Sequence, residues 1–531
     1  MNKPPPAADL PNPKMAAGLE VFFIVVLFFV FGGWAAPEVN EPQYLGKAKH
    51  FWNPQWCPND HFFSSADAHG AFFWAFGWVT QFCSLETTAW IGRFVGWTLL
   101  AIGWQRMVAA ITSRFGMALL SAGIWASLID RCQMSGEWVI GGIEAKVFAY
   151  FFVLLACRSL LFAHWGRTFF WLGCASAFHV LVGGWSVLAA GMALLFEGKS
   201  HRPLLRNLAV GLIAGGLVAC VGLIPAVWLS MGVSSDDAYY AARIYVFRRL
   251  QHHLVFRAFA WEFVANHVVM MALWLTAALV LIRKSAVHSR LVKFVLGFVV
   301  LALIGIGIDL FTTNPFVTAK FLRFYWFRMT DVMVPLGVAL SIVYFVQAAF
   351  DADDDRLRGR KQLAAWITTI SILAVLTNAT VTVWQREKQL TPSSNWQGNI
   401  TTRERLANWK SVCEWARTRT APDARFFSLP GHQTFKWYAS RSEVVNWKDI
   451  PQDAKGILEW YDRLSDARKF LYRAQQFQNK RATHKRLLEL AEQYQFRYII
   501  LDRHRPFPQL DLPVSFANAD YLVYDTQSAR N

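Results

Sequence analysis

Charge is scarce in this chain, and the scarcity is uneven. Of 531 residues only 17% are Asp, Glu, Lys or Arg, while 54% are hydrophobic. Soluble domains carry about 25% charged residues, so an ordinary soluble enzyme is excluded, yet the charge present is more than a bare bundle of apolar helices needs. Metal-type cysteine patterns are also missing. Cys57, Cys83, Cys132, Cys157, Cys174, Cys220 and Cys413 form no CxxC pair and no zinc spacing, and several lie in apolar runs where cysteine behaves as a small hydrophobe. A Cys57–Cys132 bridge is conceivable outside the cytoplasm, but spacing does not establish it. Although the net charge is +17, there is no dense Lys/Arg run, so no nucleic-acid partner is expected. In a membrane protein such an excess belongs to cytoplasmic loops and sets orientation; the alternative is attraction to anionic lipid or substrate.

What the chain does have is apolar blocks near twenty residues long, recurring from about residue 18 to residue 384. Each is long enough to cross a bilayer as a helix. Residues 385–531 have ordinary soluble composition. The expectation is therefore a cytoplasmic, disordered Pro-rich tail at 1–17, a polytopic membrane domain at 18–384, and an extracytoplasmic domain at 385–531. The run "GLEVFFIVVLFFVFGGWAAPE" reads as an uncleaved first helix. A signal peptide cut near Ala35-Ala36 is the alternative, and both leave Glu41 on the same side.

With the tail inside, crossings at 18–36, 87–104, 115–129 and 145–162 alternate correctly with Arg106, Arg114, Arg158 and Arg167. The block 168–196 then lies between two basic loops. A single crossing would reverse every later charge bias, so two short helices breaking at Gly183-Gly184 are expected to hairpin back. This gives about eleven transmembrane helices, with basic loops at 197–206, 283–293 and 350–361 inside. The loops 37–86, about 232–257 and 313–329 and the C-terminal domain then lie outside. A multi-pass protein of the cytoplasmic (inner) membrane follows.

The outer loops hold most of the chemistry. The first carries Glu41, His50, Asp60, His61, Asp67 and His69 among Trp52, Trp56, Phe62 and Phe63. The second, "SSDDAYYAARIYVFRRLQHHLVFR", supplies Arg248, Arg249, His252 and His253, and "TAKFLRFYWFRMTD" supplies Arg323 and Arg328. This inventory suits a phospho-linked sugar donor, because Arg grips phosphate oxygens and a carboxylate accepts a proton from an acceptor. The aromatics also suit a plain interfacial belt. A carboxylate at a membrane boundary, such as Glu41, needs a partner or a function. His252 and His253 with His69, Glu41 or Asp67 are candidates for a divalent metal, although no tight ligand spacing supports one. His179 sits in apolar sequence, where a packing role is the default. Glu144 and Lys146 either pair locally or face the same cavity.

The stretches "NEPQYLGKAKHFW" and "DAHGAFFWAFGWVTQFCSLETTAWIGR" resemble the start of C-type membrane glycosyltransferases, including protein O-mannosyltransferases and lipid A aminoarabinose transferases. Glu41, Tyr44, Ala48, His69 and Arg93 fall in the family's order. The family's catalytic Asp is replaced by Asn40, and "HGAFF" lacks the family's prolines. The resemblance implies that Glu41 is the base, or Asp67 is, or activity is lost. It covers about the first 200 residues. Beyond it, "RRLQHHL" and "RFYWFRMTD" look like loops of an uncharacterised bacterial multi-spanning family.

In the C-terminal stretch, "RERLANWKSVCEWART" and residues 454–478 and 481–495 have helical period. "TAPDARFFSLP", "SEVVNWKD", "FRYIILDR" and "DYLVYDT" read as strands, giving a small α/β domain. The loop "SLPGHQTFKWYASR" is a candidate contact for acceptor or glycan, loop packing being the alternative. The expectation is a hexosyl or pentosyl transferase that moves sugar from a polyprenyl-phosphate donor to a glycan, lipid or protein acceptor. Glu41, Asp67 and His69 would serve catalysis, and Arg248, Arg249, Arg323 and Arg328 the donor phosphate. His252, His253, Asn40 and Tyr44 are further candidates, and no cofactor beyond a divalent metal is considered. The rival is a non-catalytic lipid or glycan transporter, or an assembly scaffold, on the same frame. A transporter needs ionisable groups along a midplane path, for which Glu262 and Asp309 are among the few deeper candidates.

Overall fold

The computed structural model describes residues 13–198, 203–282, 285–351, 358–396 and 398–527. Residues 1–12 of the Pro-rich tail and the middle of the basic loops at 197–206 and 350–361 lie outside them. Helix occupies every apolar block. The helices are Pro13–Gly32, Leu85–Val108, Met117–Cys132, Ala145–Leu161, Trp165–Phe178, Val180–Leu195, Leu205–Trp228, Trp261–Leu281, Ala286–Phe311, Arg328–Phe350 and Arg358–Lys388. Six of these are long and apolar enough to cross a membrane by length and composition: the first, and those starting at Leu205, Trp261, Ala286, Arg328 and Arg358. Side chains such as Ile213, Leu217 and Val221, or Ile370, Leu373 and Leu376, point outward, as lipid-facing residues must.

The pair at 165–195 breaks at His179, not at Gly183-Gly184. His179 takes an extended conformation, and its ring Nδ1 accepts the Val182 N–H at 3.3 Å, capping the second helix. Gly183 serves packing instead, since a Cβ there would lie 2.2 Å from Ser176 Oγ. Next to this pair, Gly173 and Gly215 let the helices Trp165–Phe178 and Leu205–Trp228 touch backbone to backbone. Small residues at such seams are how membrane helices approach closely.

Two ends of the bundle can be told apart by their contacts. At one end, Glu20 accepts from the Gly116 N–H, Arg290 donates to the Leu161 carbonyl, and Arg114 pairs with Asp351. At the other, the segments 33–84 and 229–260 meet the C-terminal domain. Gln43 bonds Asp449, Arg425 reaches the Asn59 carbonyl, and Arg249 Nε donates to the Trp447 carbonyl.

The C-terminal domain is a five-stranded mixed sheet with helices on both faces. Its strands are β1 (Arg425–Phe427), β2 (Ser442–Glu443), β3 (Tyr498–Asp502), β4 (Val514–Ala517) and β5 (Tyr521–Asp525), in the order β2-β1-β3-β5-β4. The first three run parallel, and β5 is antiparallel to β3 and β4. Successive side chains of a strand alternate faces. Tyr498 and Ile500 pack under the helix Arg403–Arg419 with Trp409 and Val412, while Ile499 and Leu501 meet the helices Ala454–Phe477 and Lys480–Gln493. Of these strands β4 has no counterpart in the sequence reading; it is short, partly exposed and of weak alternation. "SLPGHQTFKWYASR" is not an open loop: Phe435–Ala439 is helical, and Trp437 packs into the cluster around Leu45 and Phe72.

Candidate functional site

The helix Glu41–Trp52 builds the centre of the site. Its start is marked by Asn40 with Pro42 in the first turn, a proline position that costs no helical hydrogen bond. A 3.6-residue period then divides its side chains. Asn40, Gln43, Tyr44 and Lys47 line a cavity, while Glu41, Leu45 and Ala48 turn into the protein.

Glu41 is accordingly away from the cavity. Its two oxygens take Arg93 Nε and a terminal guanidinium nitrogen at 2.7 Å each. The backbone N–H groups of Glu38 (2.7 Å) and Ile143 (3.1 Å) complete the set. Both side chains are fully buried, so this carboxylate is saturated with donors and has no face open to an acceptor. Its expected place beside the reacting atoms is corrected by this geometry. One residue of helix rotates a side chain by about 100°, which separates Asn40 from Glu41.

The cavity has two joined lobes of about 350 and 280 Å³. Tyr44, His69, His179, Tyr245, Tyr325 and Arg328 are common to both. Three carboxylates, Asp67, Glu137 and Glu144, face six basic side chains, Lys47, Lys146, Arg249, Arg323, Arg328 and Lys448. The excess of positive charge fits an anionic ligand. The larger lobe continues between Val180, Leu181, Val182, Ala226 and Leu229, at the end of two apolar helices.

Asp67 and His69 form a dyad. Asp67 Oδ1 accepts from the His69 ring Nδ1 and backbone N–H, both at 2.7 Å. Lys47 Nζ stands 3.0 Å from the other oxygen. Burial acts to raise the Asp67 carboxyl, but Lys47 and His69 hold it well below the usual carboxylate range. With Nδ1–H assigned to Asp67, Nε2 is the ring nitrogen of His69 left free of that contact. The ring lies 5.5 Å from that of His179 and 5.2 Å from that of Tyr44. Gln452, from the C-terminal domain, fixes the segment by accepting the Ala68 N–H at 3.0 Å.

Across the cavity, Arg328 lies 3.3 Å from Glu137. Lys146 Nζ stands between Glu137 (3.5 Å) and Glu144 (3.4 Å), and Asn40 Nδ2 donates to Glu144 at 2.7 Å. Glu144 and Lys146 thus pair locally and also face the cavity. His253 Nδ1 lies 2.6 Å from the Ser135 carbonyl, made accessible by Gly136, whose φ of +78° and close ring contact tolerate no side chain. Burial and then Arg328 push His253 down, so it is neutral. Burial and Arg249 likewise lower the Lys448 ammonium to about 7.

The remaining candidates separate clearly. Arg249, Arg323, Arg328, His253, Asn40 and Tyr44 line the cavity; Arg248 and His252 do not, both being exposed, with the His252 ring tilted against that of His253 at 4.0 Å. His50, Asp60 and His61 serve the packing of the first loop: His50 bonds the Trp56 carbonyl, Asp60 bonds Lys436, and His61 bonds the Gly456 carbonyl. Cys57 and Cys132 are free thiols. Glu262 is exposed at a helix start, and Asp309 is tied to Arg257 at a helix end, so neither marks a midplane path. Lys47, Glu137, Lys448 and Gln452 were missed. Lys47 stands three residues after Tyr44 and was legible from the helical period, whereas Lys448 and Gln452 reach the site from a separate domain.

Residues 407–467 match a family model described as a domain of unknown function, DUF6798. That segment contains Lys448 and Gln452. No curated protein matches the chain. Among solved structures, the archaeal oligosaccharyltransferase AglB from Archaeoglobus fulgidus, in complex with an inhibitory peptide and a dolichol-phosphate, aligns with a TM-score of 0.51 at 11% identity, covering 92% of this chain and 69% of that one. Another oligosaccharyltransferase structure from the same organism, a complex with Zn and sulfate, aligns at 0.44 with 14% identity, covering 92% and 68%. At this identity the likeness is one of fold, shared with the oligosaccharyltransferase solved with peptide and dolichol-phosphate.

Proposed function

We propose that this protein is a multi-pass membrane glycosyltransferase that moves a sugar from a polyprenyl-phosphate donor to an acceptor outside the cytoplasm. The observation that carries this reading is the cavity itself. Basic side chains and neutral imidazoles surround one lobe, the other lobe ends between apolar helices that face lipid, and an Asp–His dyad stands where the lobes join. The neighbour solved with a dolichol-phosphate and a peptide supports a lipid-phosphate donor. In this reading the N-terminus lies in the cytoplasm and residues 385–531 outside it, as the excess of Lys and Arg in the intervening loops asks.

In this reading the lipid lies along Val180, Leu181 and Ala226, and the phosphate meets Arg328, Arg249 and Lys448. His69 Nε2 takes the proton of the acceptor hydroxyl as its oxygen bonds to the sugar C1. The C1–O bond to phosphate breaks, and its electron pair stays on the phosphate oxygen. Asp67 orients the imidazole and stabilises the imidazolium it becomes. Glu41 is a positioning residue: it holds Arg93 and the 142–143 turn that leads to Glu144.

The test is donor consumption by purified full-length protein, followed by mass spectrometry with mixed polyprenyl-phosphate sugars. Wild type should consume donor, and His69→Gln should be slower by about a hundredfold or more. No consumption by wild type, with lipid-linked sugar still bound, would favour a transporter or scaffold.

A further inference from the structure

Each carboxylate of the cavity already holds a cation supplied by the chain. Asp67 has Lys47 at 3.0 Å, and Glu137 and Glu144 share the single ammonium of Lys146 at 3.5 and 3.4 Å. Both lysines are almost fully buried, at 4% and 3% exposure. Lys146 is further fixed under the Trp138 ring, 4.1 Å from its centroid, a cation–π contact that strengthens with desolvation. Arg328 takes a second position on Glu137, and the Asn40 amide takes one on Glu144.

A divalent cation that handles phosphate is held through one or two carboxylates together with the phosphate oxygens. Here those carboxylate oxygens face ammonium and guanidinium groups, which compete for the same lone pairs and repel a second cation. Among the described residues no group of three His, Cys, Asp or Glu is placed to hold a metal. The metal considered from the sequence, on His252 and His253 with His69, Glu41 or Asp67, does not fit these residues. Glu41 is spent on Arg93, and Asp67 on Lys47 and His69.

We infer that Lys146 and Lys47 stand in place of a divalent cation, so that this site binds its phosphate ligand without added metal. The exclusion of metal stands on the ion pairs alone. Its catalytic consequence rests on the transferase reading: as the C1–O bond breaks, the negative charge left on the phosphate is met by fixed side chains.

The test uses full-length protein and Mn2+ alone, with bound ion read by loss of the free-ion paramagnetic resonance signal. Wild type should bind no stoichiometric Mn2+. Lys146→Met leaves Glu137 and Glu144 without their shared ammonium and should gain at least about tenfold in Mn2+ affinity. If that variant does not fold, Lys47→Met, which frees Asp67, carries the same expectation. One-to-one binding by wild type that Glu144→Gln or Asp67→Asn abolishes would overturn the inference. Donor turnover should also be equal in chelator and in Mg2+, whereas a loss in chelator restored by Mg2+ would overturn it. Absence of turnover in both would count against the transferase reading, and the Mn2+ titration would still decide this one.

Discussion

Lys146 and Lys436 are both buried lysines set among carboxylates, and the molecule uses them oppositely. Lys436 lies 2.6 Å from Asp449, 3.0 Å from Asp60 and 3.7 Å from Glu443, with the rings of Phe62 and Phe63 over it. It closes the seam between the first loop and the C-terminal domain and lines neither lobe of the cavity. Lys146 has a similar set of partners but lines an open space together with Arg328. A sealed lysine with three carboxylates is short of positive charge, so burial drives the Glu443 carboxyl up to about 8. The cavity has the opposite imbalance and leaves positive charge for a ligand. Burial alone therefore does not distinguish a lock from a binding site; the local charge balance and the adjoining space do.

Removing each cation should break this comparison most sharply. Lys436→Met strands Asp60 and Asp449 in the seam and should cost about 3–5 kcal/mol, the usual loss for a broken buried pair, seen as a large fall in melting temperature. Lys146→Met should cost less, because water in the cavity can solvate Glu137 and Glu144.

Glu41 and His69 make the next contrast. Glu41→Gln leaves the buried Arg93 guanidinium without its charge partner, so melting temperature should fall while turnover per folded molecule is largely kept. His69→Gln should do the reverse. Equal kinetic losses in both would return Glu41 to the reacting centre.

The seam should also respond to pH. The folded Glu443 carboxyl lies near 8, above its ordinary value of 4.5. Its contribution to stability is then complete below the ordinary value and is lost as pH rises through 8. Thermal melts should show a decline across that window that Glu443→Gln flattens.

The smallest effects concern the arginines. Arg328→Met should raise the KM for donor by about tenfold or more, whereas Arg248→Ala, on an exposed side chain, should leave it unchanged. Donor binding measured by titration separates the two.

The helices were legible because a bilayer demands long apolar runs, and the strands β1, β2, β3 and β5 because each is bounded by turn residues. The break at His179 was misplaced: glycines suggested flexibility, but in the structure Gly183 provides close packing while the imidazole supplies the cap. The dyad of Asp67 and His69 was readable as two polar residues in one loop. The saturation of Glu41 was not, since it depends on Arg93 and on the Ile143 N–H, far along the chain.

By itself, then, the sequence determined where the apolar helices lie and that a small α/β domain follows them, because hydropathy and strand alternation are local properties. Only the tertiary structure decided which carboxylates remain available and which cations reach them. A charge is neutralised by whatever lies within about 4 Å of it. For Asp60, Asp67, Glu41 and Glu144 those neighbours come from both near and distant segments, brought together by packing.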